Sequence, residues 1–146
     1  MGTETRMTTT GYISGVWDLF HYGHLRVLQR SRAQCDFLVA GVAEDEYVFS
    51  YKEHWPIIPL RERMSIVSAL RCVDAVMSYC GPGDMRPLQY HGVTVRFVGP
   101  EFGRYPAQRA ARAEQERLGV RFVMLPRTPC ISTTLIRRKC CEETAR

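Results

Sequence analysis

The chain has 146 residues, which fits one domain and leaves too little for a second. With 45% hydrophobic and 24% charged residues it has ordinary globular composition, and no apolar run nears the roughly 18 residues of a membrane span. The net charge is +5, and 18 of the 20 basic residues are arginines, whose planar forks suit phosphate and carboxylate. An anionic partner fits, either nucleic acid or a small phosphorylated ligand; high-GC coding usage that replaces surface lysines with arginines would give the same count. Arg137-Arg138-Lys139 is the densest basic stretch, too short for a nucleic-acid arm.

The opening MGTETRMTTT is polar, so residues 1–10 read as a disordered or extended lead-in and not as a signal peptide. Tyr12-Ile13 opens a short strand that ends at Gly15. A helix follows through Gln34, with Leu25 and Leu28 on one side and arginines at 26, 30 and 32. Residues 37–42, FLVAGV, are a continuous apolar run, as in a strand buried on both faces. Leu60 to Leu70 has helical spacing, while 75–77 and 95–98 are strand candidates. Pro106 to Leu118 reads as an exposed helix stopped by Gly119, Arg121 to Leu125 as a last strand, and Ser132 as the N-cap of a helix through Cys140. Alternation of this kind predicts a single Rossmann-like α/β domain over 11–140, with a parallel sheet of about five strands flanked by helices and a frayed tail at 141–146. The six cysteines form no CxxC pair and no zinc spacing, and they read as reduced thiols of a cytoplasmic protein.

Ligands of such sheets bind beyond the carboxyl ends of the strands. After the first strand stands Gly15-Val16-Trp17-Asp18-Leu19-Phe20-His21-Tyr22-Gly23-His24, which holds two of the four histidines. A helix starting there puts His21 and His24 on one face, beside amides suited to phosphate, and Gly23 lets an anion approach the backbone. Two satisfied helix-start histidines and a turn glycine are the plain alternative. Zinc fits less well, since no further ligand pattern completes the set. After the last strand, Arg127-Thr128-Pro129-Cys130-Ile131-Ser132-Thr133-Thr134 places a guanidinium and four hydroxyls around another helix start.

Together these two segments resemble the HxGH nucleotidyltransferases, most of all the small cytidylyltransferases typified by glycerol-3-phosphate cytidylyltransferase. The first is similar to the family's G-[TV]-F-D-L-x-H-x-G-H, with Trp17 where Phe is usual. The second is similar to R-T-x-G-I-S-T-T, with Cys130 in the glycine's place. Between them lie Lys52, where the family has a triphosphate-reaching lysine, and an R-x7-R-x-V-D pattern at Arg63, Arg71, Val73 and Asp74. On pattern alone, Arg63 and Arg71 read as a solvated helix face. His54 stands near the place of a second lysine, and Trp55-Pro56-Ile57-Ile58-Pro59 is closer to the adenylyltransferases of sugar phosphates. Gly99-Pro100-Glu101-Phe102 occupies the place of G-D-D-W, which the family associates with base and acceptor. The resemblance covers about residues 11–139.

The resemblance implies transfer of CMP from CTP to a small phosphorylated alcohol, glycerol 3-phosphate-like, or to a phosphonate, with pyrophosphate released and Mg²⁺ accompanying the triphosphate. It implies catalytic parts for His21, His24, Lys52 and Arg127. Nucleotide contacts are implied for Gly15, Val16, Trp17, Gly23, Arg63, Arg71, Gly99, Glu101, Thr128, Ile131, Ser132 and Thr133. A homodimer is implied as well, with neither nucleic acid nor membrane as partner. Adenylyl transfer from ATP is the alternative; a non-catalytic nucleotide-binding module or a small nucleic-acid-binding domain are the rivals from other classes.

Overall fold

The computed structural model describes residues 7–145. Most of the 1–10 lead-in expected from sequence therefore lies outside the described residues. Eleven elements follow in chain order: β1 (Thr10–Gly15), α1 (Tyr22–Arg32), β2 (Phe37–Ala43), α2 (Asp45–Lys52), α3 (Leu60–Ser68), β3 (Ala75–Tyr79), α4 (Arg86–His91), β4 (Val95–Val98), α5 (Pro106–Arg117), β5 (Arg121–Met124) and α6 (Thr133–Thr144). The strands form one five-stranded sheet in the order β3-β2-β1-β4-β5, and every pairing is parallel. This is the Rossmann-like α/β domain that the alternation predicts. Its strand order reverses at β1, which pairs with β2 on one side and β4 on the other, so the loops after β1 and β4 open a crevice between them.

The core lies on both faces of the sheet. Ile13, Leu28, Leu38, Val42, Val67 and Phe97 pack on the α1 and α3 face, and Tyr12, Val39, Leu88 and Val120 on the α4 face. β2 shows why its apolar run has no polar alternation: six of its seven residues are buried. Asp74 ties the sheet edge, accepting from the Leu38 amide at 2.7 Å and from Arg32 Nε at 3.0 Å.

Three elements differ from expectation. Asp45–Lys52 is helical, although only Val48 is buried and the segment has almost no apolar stripe; its acidic first turn and Lys52 in the last turn suit a helix dipole. Arg86–His91 is a six-residue helix started by Pro87 and ended by Gly92 at φ 62°, too short for periodicity to reveal. α6 runs on to Thr144, so Cys140 and Cys141 are helical and exposed, not a frayed tail.

Gly41 sits where β2 passes under the Tyr12 ring, and a Cβ built there would meet Tyr12 Oη at 2.2 Å. Tyr12 is 1% exposed and has nowhere to go. Gly41→Ala is therefore expected to destabilise the fold by about 1–3 kcal/mol through overpacking, read as a lower urea midpoint at unchanged m-value. An unchanged midpoint would show that the tyrosine yields.

Candidate active site

The loop from Val16 to Phe20 is irregular and tightly held. Trp17 and Leu19 both take left-handed backbone angles, φ 58° and 48°, which non-glycine residues adopt at a cost. Three buried side chains fix them there. The Trp17 indole N–H donates to the Gly41 carbonyl at 2.7 Å, and a Cβ at Gly15 would strike that ring at 2.8 Å. Asp18, 2% exposed, accepts from the amides of Ile57 and Ile58, both at 2.9 Å, and from Arg137 Nη2 at 2.7 Å. Those donors hold its carboxyl below the usual range against the opposing effect of burial. Arg63 is fully buried and donates to the carbonyls of Val16, Ile58 and Ala43 and to the Asp45 carboxylate. The solvated helix face read from pattern is thus corrected for Arg63: its guanidinium ties the loop after β1, the end of β2 and the segment before α3 together. Arg71 is exposed, in the turn after α3.

The loop delivers the histidines to the start of α1. His21 is the N-cap: its Nδ1 accepts from the Gly23 amide at 3.0 Å, while its own amide donates to His24 Nδ1 at 3.3 Å. This is a reciprocal capping box built from two imidazoles. Both Nδ1 atoms are acceptors, so in the neutral rings both Nε2 atoms carry the proton. The rings stack with centroids 3.8 Å apart, and the His21 Nε2 lies 3.4 Å from Thr133 Oγ1. Burial, then its neighbour His21, pushes His24 down to about 3, and burial lowers His21 too. Both are neutral donors at pH 7. Gly23 is required here by space: a Cβ would meet the His21 ring at 2.8 Å and Ile131 at 3.1 Å.

The start of α6 faces the start of α1. Ser132 is its N-cap, accepting from the Leu135 amide at 3.1 Å, and the Thr133 hydroxyl donates to the Asp18 carbonyl at 3.2 Å. Cys130, in the position of the family's glycine, has φ 64°, a left-handed backbone angle that a residue with a Cβ adopts at a cost. A cavity of about 500 Å³ lies between the two helix starts, lined by His21, Gly23, His24, Gly99 and the Arg127–Thr134 loop, including Thr128, Ile131, Ser132 and Thr133. Three hollows adjoin it. One of about 190 Å³ is lined by Val16, Asp18, His24, Lys52, His54 and Arg137. A second, about 220 Å³, runs over Ser14, Gly15, Trp17, His24, Gly99 and Phe102. The third, about 420 Å³, holds Lys52, Glu101, Phe102, Arg104, Tyr105 and Arg127. His24 and Gly99 each line three of the four, and a Cβ at Gly99 would meet nothing within 4 Å.

Fourteen of the sixteen sequence-predicted site residues thus line one connected cleft; Arg63 and Arg71 stand apart from it. Glu101 is paired with Arg127 at 2.8 Å across the cleft mouth. Burial of its ammonium and the nearby Arg137 lower Lys52 from its ordinary value. Asp18 and Arg137, like Ser14, Arg104 and Tyr105, are cleft residues that the sequence pattern does not single out. Asp18 was inside the quoted motif, whereas a lone arginine on a basic helix gives no signal. Among the described residues no three His, Cys, Asp or Glu side chains gather to hold a metal. Both Asp18 oxygens already accept hydrogen bonds from protein donors.

A folded-state histidine held neutral stabilises the protein above its unfolded value and loses that contribution as pH falls toward its folded value. Between pH 6.5 and 4, above the ordinary aspartate value of 3.8, stability is expected to fall steadily. His24→Gln, which retains the capping acceptor, should flatten that slope in urea titrations; an equal slope would place the titration elsewhere. Cys130→Gly is expected to stabilise by roughly 0.5–1 kcal/mol by relieving the left-handed backbone, measured as a higher urea midpoint.

The family model described as "Cytidylyltransferase-like" matches residues 12–139. An ethanolamine-phosphate cytidylyltransferase of Arabidopsis thaliana is 45% identical over 67 residues, covering 46% of this chain and 16% of that protein. A FAD synthase of Thermococcus kodakarensis is 36% identical over 101 residues, covering 67% of this chain and 66% of that one. The chain spans less than a third of the length of the first curated relatives it matches. Among solved structures, a lipopolysaccharide core biosynthesis protein of Thermoplasma volcanium shares the fold with a TM-score of 0.65 at 22% identity, covering 83% of this chain and 97% of that one. With the HxGH segment at the cleft's centre and the match running through nearly the whole domain, the chain belongs to the cytidylyltransferase-like family.

Proposed function

We propose that this chain transfers a cytidylyl group from CTP to the phosphate of a small phosphorylated alcohol, or to a phosphonate, and releases pyrophosphate. The observation that carries the reading is the pair of neutral imidazoles at the meeting of two helix N-termini, each with its Nδ1 occupied so that its Nε2–H is the donor, that of His21 beside the Thr133 hydroxyl. The names of the ethanolamine-phosphate relatives support CTP and an acceptor of this class.

An acceptor oxyanion attacks the α-phosphorus; a new P–O bond forms, the bond to the β-phosphate oxygen breaks, and pyrophosphate leaves with the electron pair. The nucleophile is already ionised at neutral pH, so no general base is required. Catalysis then consists of positioning and of neutralising charge on the non-bridging and leaving oxygens. His21 and His24 donate to that charge, Lys52 and Arg127 hold phosphate oxygens from opposite sides, and Ser132 and Thr133 supply the α6 cradle. Arg137 adds a cation beside Lys52, while Arg63 and Asp18 act through the loop they hold. Mg²⁺ enters this reading as the counterion of the triphosphate. A homodimer and a cytoplasmic setting, in keeping with six free cysteines, belong to the same reading.

Adenylyl transfer from ATP is a second reading, favoured by the FAD synthase match, since FAD contains an adenylyl group. Pyrophosphate release from CTP and from ATP, each with Mg²⁺ and a panel of small phosphates and phosphonates, tests both. Turnover with CTP and one acceptor is expected, and His21→Ala or His24→Ala should each lower kcat by about 10²–10³. Turnover with ATP alone would move the chain to the second reading. CTP binding without turnover by any acceptor would make it a binding module.

A further inference from the structure

Arg96 is a buried cation with no buried anion to answer it. It lies on β4, is 2% exposed, and forms no ion pair among the described residues. One terminal nitrogen donates to Gln115 Oε1 at 2.6 Å, the other to Ser14 Oγ at 3.3 Å. Its Nε is the one buried side-chain nitrogen or oxygen without a partner among the described residues. The guanidinium is otherwise covered by aromatic rings, those of Tyr12 at 5.4 Å and Phe102 at 5.0 Å nearest. A buried arginine is ordinarily paired, as Arg63 is here with Asp45. Its one buried acceptor, Gln115, is a neutral amide, whose Nε2 donates in turn to the Pro82 carbonyl at 3.2 Å.

The two cleft-facing residues that cover Arg96 explain where its charge acts. Ser14 and Phe102 both line the hollow above Gly15 and Gly99, and Phe102 also walls the neighbouring 420 Å³ hollow. That second hollow is itself cationic. Lys52, Arg104 and Arg127 line it against a single carboxylate, Glu101, which Arg127 already engages at 2.8 Å. Behind a low-dielectric wall, an uncompensated guanidinium attracts anions and repels ammonium groups more strongly than a solvated one.

We propose that Arg96 sets acceptor choice: the acceptor carries a second anionic group, at the end away from its reacting phosphate or phosphonate, and that group docks at the Ser14–Phe102 wall in front of Arg96. This inference rests on the nucleotidyl-transfer reading and narrows it, because an acceptor ending in an ammonium or a neutral hydroxyl leaves the buried charge unanswered. Arg96 is a specificity residue here, with no part in the bond-making step.

The test is calorimetric binding to the whole chain in the presence of Mg²⁺ and a non-hydrolysable CTP analogue. Three probes of similar size are compared: 3-phosphonopropionate, whose far end is a carboxylate, glycerol 3-phosphate and ethanolamine phosphate. The carboxylate-ended probe should bind roughly tenfold tighter than the other two. Arg96→Met should erase that ranking while its affinity for the CTP analogue stays within about threefold. Arg96→Lys, which keeps the charge without the fork, should retain the order at reduced spread. Should Arg96→Met fail to fold, the wild-type ranking and the lysine variant decide. Equal binding, a preference for ethanolamine phosphate, binding of none of the three, or a ranking that survives Arg96→Met would each overturn the assignment. In all four cases bound CTP analogue leaves the broader reading standing, whereas failure of the analogue to bind overturns that reading and this inference with it.

Discussion

One carboxylate holds the catalytic-looking half of the cleft in shape. Asp18 lies at the centre of a loop whose neighbours on both sides, Trp17 and Leu19, have left-handed backbones, and no strand ladder reaches it. Its two oxygens take the amides of Ile57 and Ile58 and the fork of Arg137, and its carbonyl takes the Thr133 hydroxyl. Two distant pieces of chain, the segment before α3 and the first turns of α6, are thereby registered against the start of α1. Arg63 completes the frame from below, binding the carbonyls on either side of that junction, Val16 and Ile58. Each of these groups is costly to bury unpaired and inexpensive to keep once paired. The loop consequently has one arrangement, and the histidines that follow it inherit that precision.

Charge is distributed in the cleft according to how easily it is released. The two imidazoles are neutral, so they offer directed hydrogen bonds without drawing anions from afar. Long-range attraction falls to Lys52, Arg127 and Arg137. The Arg127–Glu101 pair is exposed on both sides and is worth little, so an incoming phosphate can displace the carboxylate. The Arg137–Asp18 pair has a buried partner and further bonds, so it persists when the other breaks. One arginine is mobile in charge and one is fixed. The mobile one lies on the loop between β5 and α6, at the mouth, and the fixed one lies on α6, deeper in.

What could be read from the sequence follows from where information is local. Strands β2 and β4 announce themselves because both their faces are covered, and the loops after β1 and β5 because their residue types have a chemistry of their own. α2 stays hidden, since eight residues that bury only Val48 carry no stripe, and α4 because six residues are too few for a period. Arg63 shows the deeper limit. Leu60, Ile66 and Val67 stand at helical spacing from it, yet an arginine reads as solvent-facing by its type; only the convergence of the loop at residue 16, the end of β2 at residue 43 and the segment at residue 58 provides the carbonyls that allow it to be buried. Arg137 is the reverse case, a residue without a motif that becomes part of the site through a partner 119 positions away. Cys130, standing where the family pattern has glycine, left the loop's backbone angle open in the sequence; the structure gives it a left-handed φ of 64°.

The parallel sheet gives the cleft two unlike sides. On one, the starts of α1 and α6 face each other across a hollow rich in hydroxyls and imidazoles; on the other, α2 and the loop before α5 enclose aromatic rings and arginines. They meet at Gly99, just beyond the end of β4, where no side chain intervenes and the backbone leaves open space. On the proposed reading, a triphosphate and an acceptor approach from these opposite sides, and the bond between them forms over that glycine, within reach of His24. A parallel sheet whose order reverses at β1 must open there, because adjacent crossovers leave in opposite directions and no helix covers the gap. The place of reaction is then set by topology, the donors by a strained loop that topology alone could not hold, and the choice of acceptor by which side chains β4 turns away from the nucleotide side. Arg96 is one of those, on the same face of the sheet as Tyr12 and opposite to Phe97.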